Sequence, residues 1–178
     1  MQLAVDSLGE APGPVLDLGT GSGVIAICIA HEHPGIPVDA VDRSEAAIRV
    51  AQKNAIENKT TVSFRQSDWY SNVTRQDYQL IVSNPPYIDR QDDHLSRGGL
   101  QFEPTDALSA AENGMAAIKH IISNAFSYCR EGGWVMIEHG FEQGQKTRQL
   151  MQFHGYTNIR TAPDIENRDR VTLGQPGL

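Results

Sequence analysis

Cysteine is scarce in this chain of 178 residues: there are two, Cys28 and Cys129, far apart and each set among apolar residues at helical spacing. A disulfide framework is excluded as the source of stability, and the pair reads as buried thiols of a reducing compartment. Long hydrophobic runs are missing as well. The longest, Val24–Ala30, falls well short of the roughly 20 residues that cross a bilayer, and no charged-then-apolar segment opens the chain. A cytoplasmic location is expected by elimination. Basic residues are outnumbered, 15 Lys and Arg against 22 Asp and Glu for a net charge of −7, and they stand singly rather than in a stripe. This argues against a large nucleic-acid footprint. Repeats and low-complexity tracts are lacking too. What is present, 39% hydrophobic and 21% charged residues, suffices to bury one core, so one monomeric domain is expected.

Apolar runs alternate with helical periodicity. Strands are expected at Val15–Gly19, Val38–Asp42, Thr61–Gln66, Tyr78–Ser83, Trp134–Glu138, Tyr156–Ala162 and Arg170–Leu173. Helices are expected from Val24 to His31, over Ser44–Asn58 with Ala47, Ala51 and Ala55 on one small-residue face, and over Gln143–His154. A further stripe of Ile118, Ile121, Ile122, Ala125 and Cys129 predicts a helix ended by Gly132-Gly133. Such alternation predicts an α/β fold, a mainly parallel sheet with helices on both faces and ligands gathered at the carboxyl ends of its strands.

One strand runs straight into glycines. Val15-Leu-Asp-Leu-Gly-Thr-Gly-Ser-Gly-Val24 places Gly19, Gly21 and Gly23 around Thr20 and Ser22. Glycines allow tight turning and close backbone approach, and the helix that follows points its N-terminal amides at the loop. The dinucleotide fingerprint spaces its glycines as G-x-G-x-x-G, so the closer spacing here favours a nucleoside without a pyrophosphate. Asp42 then ends the next strand, where its carboxylate could accept from both ribose hydroxyls. A plain strand-to-helix turn and a helix-start carboxylate are the alternatives for these two features.

Asn84-Pro85-Pro86-Tyr87, directly after Tyr78–Ser83, says which chemistry to look for. Asn84 offers a side-chain carbonyl and Pro85 a free main-chain carbonyl, and the proline ring restricts the backbone that carries them. Two such acceptors can hold an NH2 group by both hydrogens. Pro86 fixes the turn, and Tyr87 offers an aromatic face that attracts a sulfonium by ~0.5–2 kcal/mol. The tetrapeptide also fits an Asn-Pro turn closing a strand, with Tyr87 as a packed aromatic.

Further segments occur in order: Val41-Asp42-Arg43-Ser44, Ser67-Asp68-Trp69-Tyr70, Ser83-Asn-Pro-Pro-Tyr-Ile88, Phe102-Glu103-Pro104, Glu138-His139-Gly140 and Arg170-Val-Thr-Leu-Gly174. With the glycine loop they make the chain resemble, from about Val15 to Gly174, the catalytic domain of the bacterial protein-(glutamine-N5) methyltransferases. The resemblance implies a Rossmann-like class I fold, a seven-stranded mostly parallel sheet that binds S-adenosylmethionine (SAM). It implies SAM contacts at Gly19–Gly23, Asp42 and Asn84, with Asp68 and Trp69 at the adenine end. It implies the glutamine of the Gly-Gly-Gln tripeptide of peptide chain release factors as acceptor, held by Asn84, Pro85, Pro86 and Tyr87, with Phe102 and Glu103 lining the pocket and Pro104 stiffening it. Family members carry a smaller helical N-terminal domain, so residues 1–14 are expected to be the end of a connection and 15–178 the catalytic domain.

Other chemistries find little support. His31-Glu-His33 and the remaining histidines are unclustered, so no metal is expected. Ser22 lies inside the glycine loop and neither cysteine has an adjacent His in sequence, which speaks against covalent catalysis. Two alternatives remain open: a nucleic-acid methyltransferase acting on adenine N6 or guanine N2 with the same clamp, and a noncatalytic nucleotide-binding module.

Overall fold

The computed structural model describes residues 1–9, 11–86, 88–89, 109–110 and 115–177. Chain order is α1 (Gln2–Ser7), β1 (Val15–Leu18), α2 (Val24–Glu32), β2 (Val38–Asp42), α3 (Glu45–Glu57), β3 (Ser63–Gln66), β4 (Tyr78–Ser83), β5 (Ile88–Asp89), β6 (Ser109–Ala110), α4 (Ala116–Asn124), β7 (Cys129–Glu138), α5 (Gly144–Phe153), β8 (Tyr156–Pro163) and β9 (Asp169–Pro176). Seven strands form one sheet in the order β3-β2-β1-β4-β7-β9-β8, and β5 pairs with β6 in a second sheet. The first five of that order are parallel; β9 runs antiparallel to both β7 and β8. This is the Rossmann-like class I fold.

Alternation along the strands splits the core into two layers, because successive side chains leave a strand on opposite faces. Leu16, Leu18, Ile81 and Ile137 face Ile118, Ile121 and Ile122 of α4 and Met151 of α5. Val15, Val38, Ala40, Leu80 and Met136 face Ala26 and Ile29 of α2. Residues 1–14 carry α1, whose Ala4, with Leu8 just beyond it, is buried in this second layer. Ser44 caps α3 by accepting from the Ala47 amide, and Ala51 and Ala55 are buried as the small-residue face required, with Ile48 completing it.

One expected boundary is corrected. The stripe from Ile118 ends as α-helix at Asn124, a 3-10 turn spans Ala125–Ser127, and Cys129 opens β7 instead of closing the helix. Gly132 and Gly133 stop no helix; they lie where the β4–β7 register jumps from Tyr78 opposite Cys129 to Leu80 opposite Trp134. Gly133 is needed for close approach, since a Cβ there would come within 2.6 Å of Cys129 Sγ and 3.0 Å of two carbonyl oxygens. Among the described residues no helix is long and apolar enough to cross a membrane.

Candidate active site

The residues singled out in the sequence leave four neighbouring strands at one edge. Leu18 lies opposite both Val41 and Ser83, and Asp42 opposite Gln66. Gly19, Asp68 and Asn84 therefore follow β1, β3 and β4, and Asp42 ends β2, all at the carboxyl edge. Strand order reverses between β1 and β4, the place where a crevice opens in sheets of this kind.

Backbone and side-chain bonds fix this edge. The Gly19 and Thr20 amides both donate to the Val41 carbonyl at 2.9 Å, and the Ser67 amide donates to the Asp42 carbonyl at 2.9 Å. Asp42 accepts the Gly21 amide at Oδ2 (2.9 Å) and the Ser44 amide at Oδ1 (2.8 Å). Its carboxylate thus joins the glycine loop to the start of α3, and each oxygen keeps a second lone pair for a ligand hydroxyl. Asn54 of α3 donates to the carbonyl of the exposed Ser22 at 2.9 Å. Gly19, Gly21 and Gly23 all have positive φ, at +69°, +56° and +84°.

Trp69 is brought to the loop. Its half-buried ring lies so close to Gly19 that a Cβ there would sit 3.5 Å from it. The residue holds a left-handed φ of +48°, and its carbonyl accepts from Ser67 Oγ at 2.8 Å. Asp68 is exposed beside it. Asn84 is exposed while Pro85 is buried and Pro86 half-buried. No side-chain hydrogen bond occupies Asn84 among the described residues, so its amide is open to a guest. Tyr87, Phe102, Glu103 and Pro104 lie outside the described residues.

Sequence reasoning missed two groups behind this edge. His139, just past the end of β7, is fully buried, and burial holds its imidazole below the usual range. Asp17 is 1% exposed on the α2 side of β1; Thr20 Oγ1 donates to its Oδ2 at 2.6 Å, while Oδ1 has no hydrogen-bond partner among the described residues. A carboxylate inside the otherwise apolar Val15–Leu18 was the available signal.

Burial pushes the Asp17 carboxyl up to about 6, against the lowering effects of Thr20 and the Ala26 amide and with a small addition from Asp42. Between about pH 4 and about pH 6 the folded protein therefore keeps a proton that the unfolded chain has released, and above that range the carboxylate is charged. Its contribution to stability is fully present below about pH 4 and is lost as pH rises through about 6, on the order of 3 kcal/mol. Urea midpoints compared between about pH 4 and about pH 7 are expected to show a shallower fall in Asp17→Asn than in the wild type. Parallel profiles would remove Asp17 as the cause.

A cavity of about 450 Å³ opens away from this edge, lined by Asp39, Arg65, Arg75, Asp77 and Tyr78. Arg75 pairs with Asp77 at 3.0 Å and Asp39 at 3.7 Å, and the Tyr78 hydroxyl donates to Asp39 at 2.7 Å. Its charges answer one another, so strand-end convergence marks the candidate site better than volume does. Among the described residues no group of three His, Cys, Asp or Glu is placed to hold a metal.

Residues 2–99, which include the glycine loop, Asp42 and Asn84, match the family model described as Methyltransferase small domain. The chain belongs to the methyltransferase small domain family. Among curated proteins, the release factor glutamine methyltransferase of Aliivibrio fischeri is 45% identical over 98% of this chain and 62% of its own length. That of Escherichia coli is 44% identical over 98% of this chain and 64% of its own. The chain thus spans less than two thirds of these relatives. A methyltransferase from Pyrococcus furiosus, 16% identical, superposes with a TM-score of 0.70 over 92% of this chain and 75% of that one, which shows the shared fold.

Proposed function

We propose that this methyltransferase domain transfers a methyl group from SAM to the side-chain amide nitrogen of the Gly-Gly-Gln glutamine in peptide chain release factors, as a cytoplasmic enzyme. The observation that carries the reading is the open carboxamide of Asn84, one strand from a glycine loop whose Asp42 is already fixed in place.

The residues fit SAM. Among the described residues nothing lies within 4 Å of where a Cβ would stand on Gly21, so the loop has a bare front for a nucleoside. Behind it, Asp17 keeps a buried oxygen without a hydrogen-bond partner among the described residues, a charge that favours a cationic ligand held before the loop. When bound, SAM supplies an electrophilic methyl carbon on a positive sulfur. Asp42 would accept from its ribose hydroxyls, and Asp68 and Trp69 would border its adenine.

An amide nitrogen is a weak nucleophile because its lone pair is delocalised into the carbonyl. Asn84 Oδ1 and the Pro85 carbonyl would each accept one N–H, turning that lone pair toward the methyl carbon and favouring the charge that grows on nitrogen. A strong base is unnecessary, since the proton leaves once the nitrogen is positive and acidic. Pro86 would hold the turn, Tyr87 would close the acceptor side, and Phe102 and Glu103 would line it. The glycines beside the acceptor suit a thin loop entering a deep pocket.

Mass spectrometry of a release factor incubated with the protein and SAM is expected to show one added methyl on the Gly-Gly-Gln peptide. Labelling of nucleic acid with the release factor left unmodified would overturn the reading. SAM binding without transfer to any acceptor would identify a noncatalytic module.

A further inference from the structure

A chain of hydrogen bonds runs from the partly exposed Arg148 to the buried His139, just past the end of β7, and has no part in the reaction as derived above. His139 Nδ1 lies 2.9 Å from the Gly140 carbonyl oxygen, and Nε2 lies 2.8 Å from Thr172 Oγ1. Thr172 Oγ1 is 2.9 Å from Thr161 Oγ1, which accepts from Arg148 Nη1 at 2.7 Å. Arg148 Nη1 also donates to Asp169 Oδ2 at 3.0 Å.

Donor and acceptor capacity assigns every proton along this path. A carbonyl oxygen only accepts, so His139 carries its proton on Nδ1, and Nε2 of the neutral ring must accept. Thr172 then donates to Nε2. Its single hydroxyl proton is committed there, so Thr161 donates to Thr172. The Thr161 oxygen is left to take the Arg148 N–H. The order runs one way, from a guanidinium half in solvent to a carbonyl at the end of β7. A second proton on His139 would force Thr172 to turn round and would place a buried cation near Arg148 and Arg170, with Asp169 as the carboxylate that offsets it.

Around this ring the chain is held from every side. The His139 amide donates to the Arg170 carbonyl at 2.9 Å, Arg170 Nη1 donates to the His139 carbonyl at 3.1 Å, and the Gly140 amide donates to Gln143 Oε1 at 2.9 Å. β7 lies parallel to β4 with Ile137 opposite Ser83. Ser83 and Ile137 are the last pair of that ladder, and the same register carried one and two residues further would bring Glu138 and His139 level with Asn84 and Pro85.

We propose that His139 is a positioning residue for the amide clamp, its Nδ1–H tautomer set by the Gly140 carbonyl and its Nε2 held by the relay of Thr172, Thr161 and Arg148, so that the end of β7 keeps Asn84 and Pro85 at the reacting distance. This rests on the methyl-transfer reading of the same edge. Oriented groups are sensitive to small shifts, a misplacement of about 1 Å costing up to ~10²-fold, so a loosened relay is expected to lower kcat roughly 10-fold. SAM affinity stays unchanged, because the glycine loop and Asp42 leave β1 and β2.

The test uses the whole chain, with imidazole nitrogens labelled and the His139 signals assigned by their loss in His139→Gln. Wild-type His139 is expected to show a protonated Nδ1 and a hydrogen-bonded, bare Nε2. Thr172→Val should move the Nε2 resonance to that of an unbonded nitrogen and lower kcat for the release factor, and Thr172→Ser should restore both. Should Thr172→Val fail to fold, Arg148→Met, which alters a half-exposed side chain, is expected to shift the same resonance and reduce kcat in the same direction. A proton on Nε2, unchanged kcat in a folded relay variant, or a Thr172→Ser variant as impaired as Thr172→Val would overturn the proposal. A wild type that methylates no release factor would refute the reaction and remove the positioning role with it, while the nitrogen spectra would still show whether the relay exists.

Discussion

Asn84→Ala is expected to lower methyl transfer by about 10²-fold or more, the scale on which a single oriented hydrogen bond to developing charge is lost, and to leave SAM affinity within a few-fold. Both halves follow from where the residue stands. It leaves β4 at the carboxyl edge, its side chain is exposed, and it supports no other group among the described residues, so truncation removes an acceptor without opening a cavity. Stability should change little, as for surface substitutions in general. The glycine loop and Asp42 hold each other through the Gly21 amide at 2.9 Å without help from Asn84, so the nucleoside half of the site stays intact. The remaining acceptor, the Pro85 carbonyl, can still hold one N–H, but one bond leaves the amide free to rotate and its lone pair off line. A calorimetric SAM titration beside a methylation assay separates the two effects. Near-normal turnover would remove Asn84 from the chemistry; loss of SAM binding in equal proportion would make it a nucleoside contact instead.

Much of this site could be read from the letters because Gly19, Asp42 and Asn84 stand at the ends of apolar runs that form buried strands, and in a parallel sheet consecutive carboxyl ends fall on one edge. Asp68 follows β3, whose mostly exposed Ser63–Gln66 reads as a strand by its place in the alternation rather than by apolar composition. What could not be read depends on distance in sequence. Which strands neighbour which, and that β9 enters antiparallel between β7 and β8, is decided by pairing between segments with no local signature. The stripe through Cys129 was misread because four isoleucine and alanine positions do fit a helix and the fifth merely continues the spacing; the turn at Ala125–Ser127 breaks it. The left-handed backbone of Trp69 has no glycine to announce it. Arg148, Thr161, Thr172 and His139 stand on or beside four elements, and nothing in their order along the chain suggests that they touch.

Gly23→Ala and Gly21→Ala are expected to fail in different ways, although the two glycines stand two positions apart and both hold positive φ. At Gly23 a Cβ would lie 2.9 Å from Ala51 Cβ, 3.1 Å from Ile27 Cδ1 and 3.3 Å from Ala51 Cα. The last of these is main chain of α3 and cannot swing aside, so α2 and α3 must separate. Left-handed strain of about 1–2 kcal/mol and overpacking of about 1–3 kcal/mol add to roughly 2–5 kcal/mol, enough to unfold a large share of a marginal domain. At Gly21 the same methyl meets nothing within 4 Å among the described residues, so only the backbone strain applies and the fold should survive with a modestly lower urea midpoint. The methyl would nevertheless stand in the bare space before the loop. If the nucleoside lies there, SAM affinity falls by about 10-fold or more, since even a small intrusion into a fitted contact costs 1–3 kcal/mol. Urea unfolding and SAM titration on both variants therefore assign one glycine to helix packing and the other to the ligand. A stable Gly21→Ala that binds SAM as tightly as the wild type would mean that the open face of the loop is not where the nucleoside sits, and the roles given to Asp42 and Trp69 would fall with it.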